Sequence, residues 1–378
     1  CLLVDNSLTA LQQSARWWRR KLDLRVIGIT GSVGKSTTKE LIADVLGQKY
    51  RVLKSPGNLN NEIGLPLTLL RLGRGHDYAV LEMGFYVPGE IAFLCDLAQP
   101  QVGVLTNIGT VHAERAGSQE AIAQGKSELV SALPPAPHGT AILNDDDDWI
   151  RPMARMTHAR VLSYGLNPEA ELWADEIESR GLEGIRFRVH HHDHVFTIRA
   201  PLIGRHSVQT ALRAAAVGLV EGMEWQEIIH ALMQAKTAFR LSVVHSKNGA
   251  LILDDTYNAS PDSMMSALTL LAEMPGRRVA VLGDMLELGP YEVEGHQKVG
   301  LRAAQVCDEL MLVGDRAKLM ASAALAGGMA ASHVHLFADA NEVSAALTDR
   351  LRDGDVVLIK ASHAVRLDRV VASLEVPE

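Results

Sequence analysis

The segment TGSVGKST at residues 30–37 is a glycine-rich turn that ends in a lysine and hydroxyl residues. Gly31 and Gly34 allow backbone N–H groups to converge on an anion. Lys35 offers a positive charge to phosphate oxygens, and Ser36 offers a hydroxyl ligand to Mg²⁺. The spacing departs from the common pattern G-x-x-x-x-G-K-[ST], since an isoleucine stands where that pattern has its first glycine. The residue types still predict a phosphate-binding loop.

The elements on either side of this loop favour the same function. The apolar run at 24–29 is typical of a buried parallel strand. After the loop, apolar residues recur on one face of a predicted helix: Leu41, Ile42, Val45 and Leu46. The amino end of that helix favours negative charge. A plain turn with a surface lysine needs no such strand–loop–helix context, so we favour the phosphate loop.

Three further residues are candidates for the same chemistry. Ligands of open α/β sheets lie at the carboxyl ends of the strands. Glu82 ends the run YAVLEM and is expected to hold Mg²⁺ near Lys35 and Ser36. A solvated carboxylate at a strand end explains Glu82 alone equally well. His112 and Lys126 stand fourteen residues apart, and each is unremarkable by itself.

The composition sets the class of protein. A chain of 378 residues is too long for one core and predicts two or three domains. A net charge of −8 argues against a nucleic-acid binder with a broad basic surface. The three cysteines form no C-x-x-C pair, so neither a disulfide framework nor a zinc ribbon is indicated. No apolar stretch is long enough to span a bilayer. We expect a cytoplasmic protein.

Apolar runs alternate with helical segments and predict an α/β fold. Strands of a mostly parallel sheet are predicted at 78–83, 102–106 and 140–143. Residues 170–203 interrupt this rhythm and are typical of antiparallel strands joined by turns, and helices return at 206–236. The sequence therefore predicts a central domain whose mostly parallel sheet carries the phosphate loop.

A second α/β series follows the first. It predicts a Rossmann-like domain with an open sheet, and the boundary falls near residues 236–240. The predicted strands of this domain are 250–255, 277–284, 309–315, 333–337 and 355–360.

The run HHHDH at residues 190–194 raises the possibility of a metal site. Consecutive histidines on a strand point to opposite faces, so they do not converge readily on one ion. We therefore interpret the run as the polar tip of a hairpin.

Seven segments together resemble the Mur ligase family, the ATP-dependent amide-forming enzymes of peptidoglycan synthesis. The family's own phosphate loop is short, T-G-S-x-G-K-[ST]-[ST], which accounts for the unusual spacing. The resemblance extends from about Val4 to Val371. Its segments are ITGSVGKSTTKE (29–40), GNLNNEIGLPLTLL (57–70), LEMGFYVPGEI (81–91), TNIGTVHAERAGS (106–118), FRL (239–241), DDTYNASPDSM (254–264) and GDMLELG (283–289).

The resemblance implies an ATP site built from two parts of the chain. The first part would bind the phosphates through Gly31, Ser32, Gly34, Lys35, Ser36 and Thr37. The second would contribute Asp255, Tyr257 and Asn258 to the nucleotide site. Arg240, at the domain hinge, would reach the γ-phosphate and is a catalytic candidate with Lys35, His112 and Lys126.

The resemblance also implies two Mg²⁺ ions. Ser36 and Glu82 would hold one ion, and His112 would contact the other. Lys126 matches the lysine that is carbamylated in the family, which converts a cation into an anionic oxygen ligand suited to Mg²⁺. Asn60 and Asn61 would contact the muramyl substrate.

The implied reaction is an ATP-dependent ligation that forms a C–N bond. ATP would phosphorylate the terminal carboxylate of UDP-N-acetylmuramoyl-tripeptide, and the amine of D-alanyl-D-alanine would attack the acyl phosphate. Two alternatives remain open: a sister amide ligase with another carboxylate and amine, and a nucleotide-binding fragment without ligase turnover. We expect a monomer.

Some positions depart from the family pattern. Ser207 and Thr210 replace asparagines expected near the nucleotide, and Ala361 and His363 replace a glycine and an arginine. The domains implied by the resemblance are a central ATP-binding domain and a C-terminal ligase domain, at 23–238 and 239–378. Residues 1–22 would be the last piece of the family's N-terminal UDP-binding domain, so we expect the chain to lack most of that domain.

Overall fold

The computed structural model describes residues 3–235 and 241–375. The chain divides into two compact units, residues 1–178 with 182–237 and residues 238–378 with 179–181. In the described residues no helix is long and apolar enough to cross a membrane. Both units are α/β with mostly parallel sheets, so the predicted fold class is confirmed. The separate status of residues 1–22 stays a prediction.

The first unit contains the phosphate loop. Its strands, within the described residues, are β1 (Arg25–Thr30), β2 (Val52–Lys54), β3 (Tyr78–Glu82), β4 (Val102–Leu105), β5 (Thr140–Asn144), β6 (Arg160–Gly165), β7 (Leu172–Ser179), β8 (Ile185–His191) and β9 (His194–Ala200). Its helices are α1 (Ser7–Arg19), α2 (Lys35–Leu46), α3 (Gly64–Leu69), α4 (Glu90–Ala98), α5 (Ala113–Ala116), α6 (Gln119–Ser131), α7 (Ser207–Val220) and α8 (Trp225–Met233).

These nine strands form one sheet in the order β2-β3-β1-β4-β5-β6-β7-β8-β9. Strand β1 lies between β3 and β4 and pairs with both in parallel, so the loops after these strands meet at one edge. Residues 170–203 differ in part from the prediction. Strands β8 and β9 form an antiparallel hairpin, whereas β7 pairs with β6 in parallel. The alternating burial along β7 and β8 does not indicate which strand each of them pairs with, so the sequence alone does not distinguish these pairings.

The local sequence explains the β1–α2 unit. Strand β1 is buried from Val26 to Thr30, as expected for an apolar run covered on both faces. Gly34 precedes α2 with a φ of 83°, a left-handed conformation that glycine adopts without steric cost. The predicted apolar face of α2 is fully buried at Leu41, Ile42, Val45 and Leu46. Helix α2 packs on α7 and is thereby held against the sheet.

The second unit is a six-stranded sheet in the order β10-β11-β15-β12-β13-β14. All pairs are parallel except the edge pair β10–β11. The strands are β10 (Ser242–His245), β11 (Leu251–Asp254), β12 (Arg278–Gly283), β13 (Glu309–Val313), β14 (Val334–Phe337) and β15 (Val356–Lys360). The helices are α9 (Pro261–Glu273), α10 (Glu292–Val306), α11 (Ala317–Ala326), α12 (Ala340–Arg350) and α13 (Asp368–Leu374).

Helix α6 passes unusually close to a neighbouring aromatic ring. A Cβ atom at Gly125 would lie 1.9 Å from the Phe85 ring, so only glycine permits this approach. Helix propensity favours alanine over glycine by about 1 kcal/mol, but overpacking a rigid ring costs about 1–3 kcal/mol. We therefore expect Gly125→Ala to lower the free energy of unfolding, measured by urea denaturation.

The matched control is Gly73→Ala, where a Cβ atom would meet nothing within 4 Å. We expect this variant to be as stable as the parent chain or slightly more stable. Equal stability of the two variants would show that α6 is not pressed against Phe85.

Candidate functional site

The phosphate loop is fixed by the segment that follows β4. The Ser32 N–H donates to the Asn107 carbonyl at 2.9 Å, and the Val33 N–H donates to Asn107 Oδ1 at 2.8 Å. The Thr106 hydroxyl donates to the Val33 carbonyl at 2.7 Å. Each bond satisfies a backbone N–H or carbonyl group of the loop that has no partner within a helix or strand. The loop therefore has a fixed shape before any anion arrives.

Gly31 is required by the same contact. Its φ is 146°, and a Cβ atom there would lie 1.9 Å from Thr106 Oγ1. The absence of a side chain is what lets the two loops touch. Sequence analysis assigned Gly31 to the phosphate itself; the structure also gives it a packing role against Thr106. The roles of Thr106 and Asn107 were missed, although Thr106 ends the predicted strand at 102–106 and Asn107 directly follows it in the segment TNIG.

Lys35 lies folded over the loop. Its Nζ donates to the Gly31 carbonyl at 2.7 Å and to the Ser32 carbonyl at 3.3 Å. Because Asn107 takes the Ser32 and Val33 N–H groups, the amino end of α2 is the part of the loop best suited to an anion. The half-buried Ser36 and Thr37 lie in the first turn of this helix.

Glu82 is buried and fully oriented, with only 1% of its surface exposed. Its Oε2 accepts from the Ser36 hydroxyl at 2.6 Å, and its Oε1 accepts from Asn60 Nδ2 at 2.8 Å. Its backbone N–H donates to Ser55 Oγ at 3.2 Å. The alternative of a solvated strand-end carboxylate is therefore wrong. A buried carboxylate beside a hydroxyl provides the hard oxygen donors that Mg²⁺ prefers.

Lys126 is a buried amine that is influenced by the positive charge of Lys35. Its side chain is 1% exposed, and its Nζ lies 4.8 Å from the centroid of the Phe85 ring. Burial lowers the pKa of Lys126 well below its usual value, and the positive charge of Lys35 lowers it further. The neutral amine is thus favoured at this position far more than on a protein surface.

A cavity of about 290 Å³ opens beside these groups. The predicted residues Lys35, Asn60, Asn61 and His112 all line it. The His112 backbone is left-handed, with a φ of 67°, and its ring packs edge-on against Tyr86 at 4.8 Å between centroids. The structure therefore brings these four predicted residues, from three separated segments of the sequence, to one site.

The two asparagines hold different positions in this cavity. The Asn60 side chain orients Glu82, while Asn61 is exposed and accepts from the Gly64 N–H at 2.9 Å at the start of α3. The predicted substrate contacts of both residues stay predictions.

In the second unit, a lysine that sequence analysis missed organises the predicted residues. Lys360 is 1% exposed; its Nζ lies 2.6 Å from Asp255 Oδ2 and donates to the Asn258 carbonyl at 2.7 Å. Tyr257 is 40% exposed, with its ring 6.4 Å from that of His363. Lys360 and Asp254 are the last residues of two parallel strands, β15 and β11. Their position at strand ends is the feature of the sequence that could have indicated Lys360. The predicted nucleotide contacts stay predictions.

Three of the four departures from the family pattern, Ser207, Thr210 and Ala361, are buried, whereas His363 is exposed. Ser207 Oγ donates to the Ile203 carbonyl at 2.6 Å, and Thr210 Oγ1 accepts from the buried Arg213 at 2.8 Å. Ala361 is buried in the core of the second unit. The hydroxyl groups of Ser207 and Thr210 are thus bonded within the protein, and neither residue has the amide group of the expected asparagine. Arg240, the predicted γ-phosphate contact, lies outside the described residues.

Comparison with known families decides the class of protein. Residues 29–218 match the Mur ligase middle domain, and residues 239–363 match the Mur ligase glutamate ligase domain. The chain belongs to the Mur ligase family. The predicted resemblance is confirmed, and in this Mur ligase the phosphate loop, Glu82 and Lys126 all fall within the matched middle domain.

Relatives of this Mur ligase match almost its whole length. The UDP-N-acetylmuramoyl-tripeptide–D-alanyl-D-alanine ligase of Synechocystis sp. is 39% identical, over 98% of this chain and 79% of the relative. The ligase of the same name from Escherichia coli is 34% identical, over 99% and 82%.

Solved structures agree with these relatives. MurF from Acinetobacter baumannii has a TM-score of 0.88 at 32% identity, covering 99% of this chain and 81% of that one. MurF ligase from Thermotoga maritima in complex with ADP has a TM-score of 0.86 at 32% identity, covering 98% and 84%.

The arrangement of Ser36 and Glu82 predicts how the metal requirement responds to substitution. Glu82→Gln replaces one carboxylate oxygen with an amide nitrogen, which does not bind Mg²⁺. We expect the Mg²⁺ concentration for half-maximal ATP turnover to rise at least about tenfold. A titration of activity against Mg²⁺ measures this.

Glu90→Gln is the matched control. Glu90 lines the same cavity, but its carboxylate accepts from the Tyr86 and Val87 N–H groups and not from Ser36. Its Mg²⁺ requirement should stay unchanged. If both variants show the same shift, Glu82 is not a specific metal ligand.

Proposed function

We propose that this Mur ligase uses ATP to join D-alanyl-D-alanine to UDP-N-acetylmuramoyl-tripeptide. The observation that carries the proposal is the similarity over nearly the whole chain to ligases whose names state these two substrates. The ADP complex of the Thermotoga maritima enzyme supports ATP as the nucleotide. The rigid phosphate loop and the buried Glu82 are consistent with phosphoryl transfer.

The chemistry requires activation of a carboxylate. The γ-phosphoryl group of ATP passes to the terminal carboxylate of the tripeptide, and ADP leaves. The amine of D-alanyl-D-alanine then attacks the acyl carbon, loses a proton and expels phosphate, so an amide is formed. In this proposal Lys35 exchanges its contacts with the Gly31 and Ser32 carbonyls for contacts with phosphate oxygens. Such fixed charges act mainly by positioning and by stabilising the transferring phosphoryl group.

The residues present fit Mg²⁺. Ser36 and Glu82 offer oxygen donors in one buried position and would hold one ion. His112, which lines the cavity, and a carbamylated Lys126, whose side chain lies over the Phe85 ring of that cavity, are proposed for a second ion. Bound Mg²⁺ supplies positive charge that offsets the charge of the phosphates.

Carbamylation of Lys126 has a physical rationale in this structure. Only a neutral amine reacts with CO₂: its nitrogen lone pair forms the N–C bond, and one amine proton is released. The lowered pKa of Lys126, caused by burial and then by Lys35, favours that neutral form. The resulting carbamate is an anion, so its interaction with Lys35 becomes attractive.

A substrate-dependence experiment tests the proposed reaction. Phosphate release from ATP is measured with UDP-N-acetylmuramoyl-tripeptide, with D-alanyl-D-alanine, and with both. We expect release only with both, at a rate at least about tenfold above either alone, because the acyl phosphate needs its acceptor to turn over. Turnover that needs a different amine would indicate a sister amide ligase. ATP binding without substrate-dependent turnover would indicate a nucleotide-binding protein.

The role of Lys126 is tested by chemical rescue. Lys126→Ala should abolish ligation, and a short-chain carboxylate such as acetate should restore part of the activity by taking the place of the carbamate. Lys35→Ala is the control. It should lose about 2–4 kcal/mol of transition-state stabilisation and should not respond to acetate, because it lacks a cation and not an anion. Full activity of Lys126→Ala, or equal rescue of both variants, would contradict the carbamate role.

A further inference from the structure

Three potential metal ligands lie close together near strands β7, β8 and β9, several strands away from the phosphate-loop strand β1. Glu171 directly precedes β7, His191 is the last residue of β8, and His192 lies in the turn to β9. One ligand atom from each lies within 4.8 Å of the others. The Glu171 Oε1 atom is 3.9 Å from His191 Nε2 and 3.8 Å from His192 Nε2.

The backbone explains why neighbouring histidines converge here. Alternation of side chains holds along a strand, and it predicted that these rings would point apart. The hairpin itself is confirmed, since His191 pairs with His194 across a two-residue turn. His192 has a φ of 51°, so the left-handed turn ends the alternation. The two rings lie with centroids 4.2 Å apart, and the expectation that they do not converge is wrong.

The preceding histidine does not belong to this group. His190 Nε2 lies 3.0 Å from Asp175 Oδ1, and its ring stacks on Trp173 at 3.7 Å between centroids. Of the three consecutive histidines, His190 is thus packed on Trp173, and His191 and His192 face Glu171.

We propose that Glu171, His191 and His192 form a binding site for a divalent transition-metal ion, with Zn²⁺ as the preferred ion. Two imidazole nitrogens and one carboxylate oxygen are a ligand set that suits Zn²⁺ and leaves a position for water. Ligand atoms about 2.0–2.1 Å from a tetrahedral ion lie about 3.3 Å apart. The two separations between Glu171 and the histidines exceed this by roughly half an ångström, and we expect small side-chain rotations to close them when the ion binds.

Without a metal ion, Arg160 provides the positive charge next to the Glu171 carboxylate. Arg160 Nη2 lies 3.0 Å from Glu171 Oε1, and its side chain is 54% exposed. Because an exposed ion pair contributes little, the arginine can turn into solvent when a metal binds. Arg160 therefore acts as a competitor for the carboxylate, and its removal should strengthen metal binding.

The charges around the site favour an unprotonated ligand. Burial lowers the pKa of His191; the neighbouring His192, His194 and Arg160 lower it further, while Glu171 raises it. Burial of His191 thus disfavours its protonated form, which cannot bind a metal ion.

The test is a titration of the full chain with Zn²⁺, in a large excess of Mg²⁺ that fills oxygen-rich sites. We expect one equivalent of Zn²⁺ to bind. Glu171→Gln and His192→Asn should weaken binding at least about tenfold, because each removes one of three ligands. Asparagine tolerates the left-handed turn, so His192→Asn should fold normally, as circular dichroism will check. Arg160→Gln should strengthen binding.

His194→Gln is the matched control. His194 belongs to the same hairpin but lies outside the ligand group, and its ring is 6.0 Å from that of Phe196. Its Zn²⁺ affinity should equal that of the parent chain. The proposal is overturned if both ligand variants bind Zn²⁺ as the parent does, if His194→Gln weakens binding equally, or if no equivalent binds at all.

Co²⁺ provides an independent spectroscopic readout of the same site. In the parent chain, we expect a visible absorption band typical of four-coordinate Co²⁺ with nitrogen and oxygen ligands. This band should disappear in Glu171→Gln. A Co²⁺ spectrum that is identical in the two proteins would place the ion elsewhere and contradict the assignment.

Discussion

The contact between Gly31 and Thr106 is the constraint on which the phosphate site depends. It joins the loops after two neighbouring parallel strands at a separation that admits no side chain. Asn107 then takes two N–H groups of the loop, so the shape of the cradle is set by the protein and not by its ligand. Preorganisation of this kind means that little ordering free energy is lost when the nucleotide binds.

Two buried ionisable residues, Glu82 and Lys126, lie near this rigid loop. The carboxylate of the buried Glu82 is oriented by Ser36 of α2 and by Asn60 from the loop before α3, and Ser55 accepts from the Glu82 backbone N–H. Lys126 is different, because burial and Lys35 both disfavour its charged form. A cationic Lys126 would be costly here, whereas a neutral or carbamylated side chain is compatible with the same surroundings.

The sequence was most informative where a strand is buried on both faces. Every predicted strand of the second unit is present, and three of them, β12, β13 and β15, are almost entirely buried runs of mainly apolar residues. It was least informative where residues meet across strands. Lys360 and Asn107 depend on which strands are neighbours, and a local pattern does not state this. The histidine run failed for a further reason, since one left-handed residue, His192, ends the alternation on which the argument rested.

The order of the nine-stranded sheet has a consequence for how the first unit fluctuates. The phosphate-loop strand β1 lies between two partners, whereas β9 forms one edge and is bonded on one side only. Five strand steps, roughly 24 Å, separate β1 from β8. Opening of the β8–β9 hairpin therefore breaks the hydrogen bonds at that edge and leaves those of the phosphate-loop strand β1 intact. The amide protons of the hairpin should exchange with solvent through local fraying, while those of β1 exchange only when the whole unit unfolds.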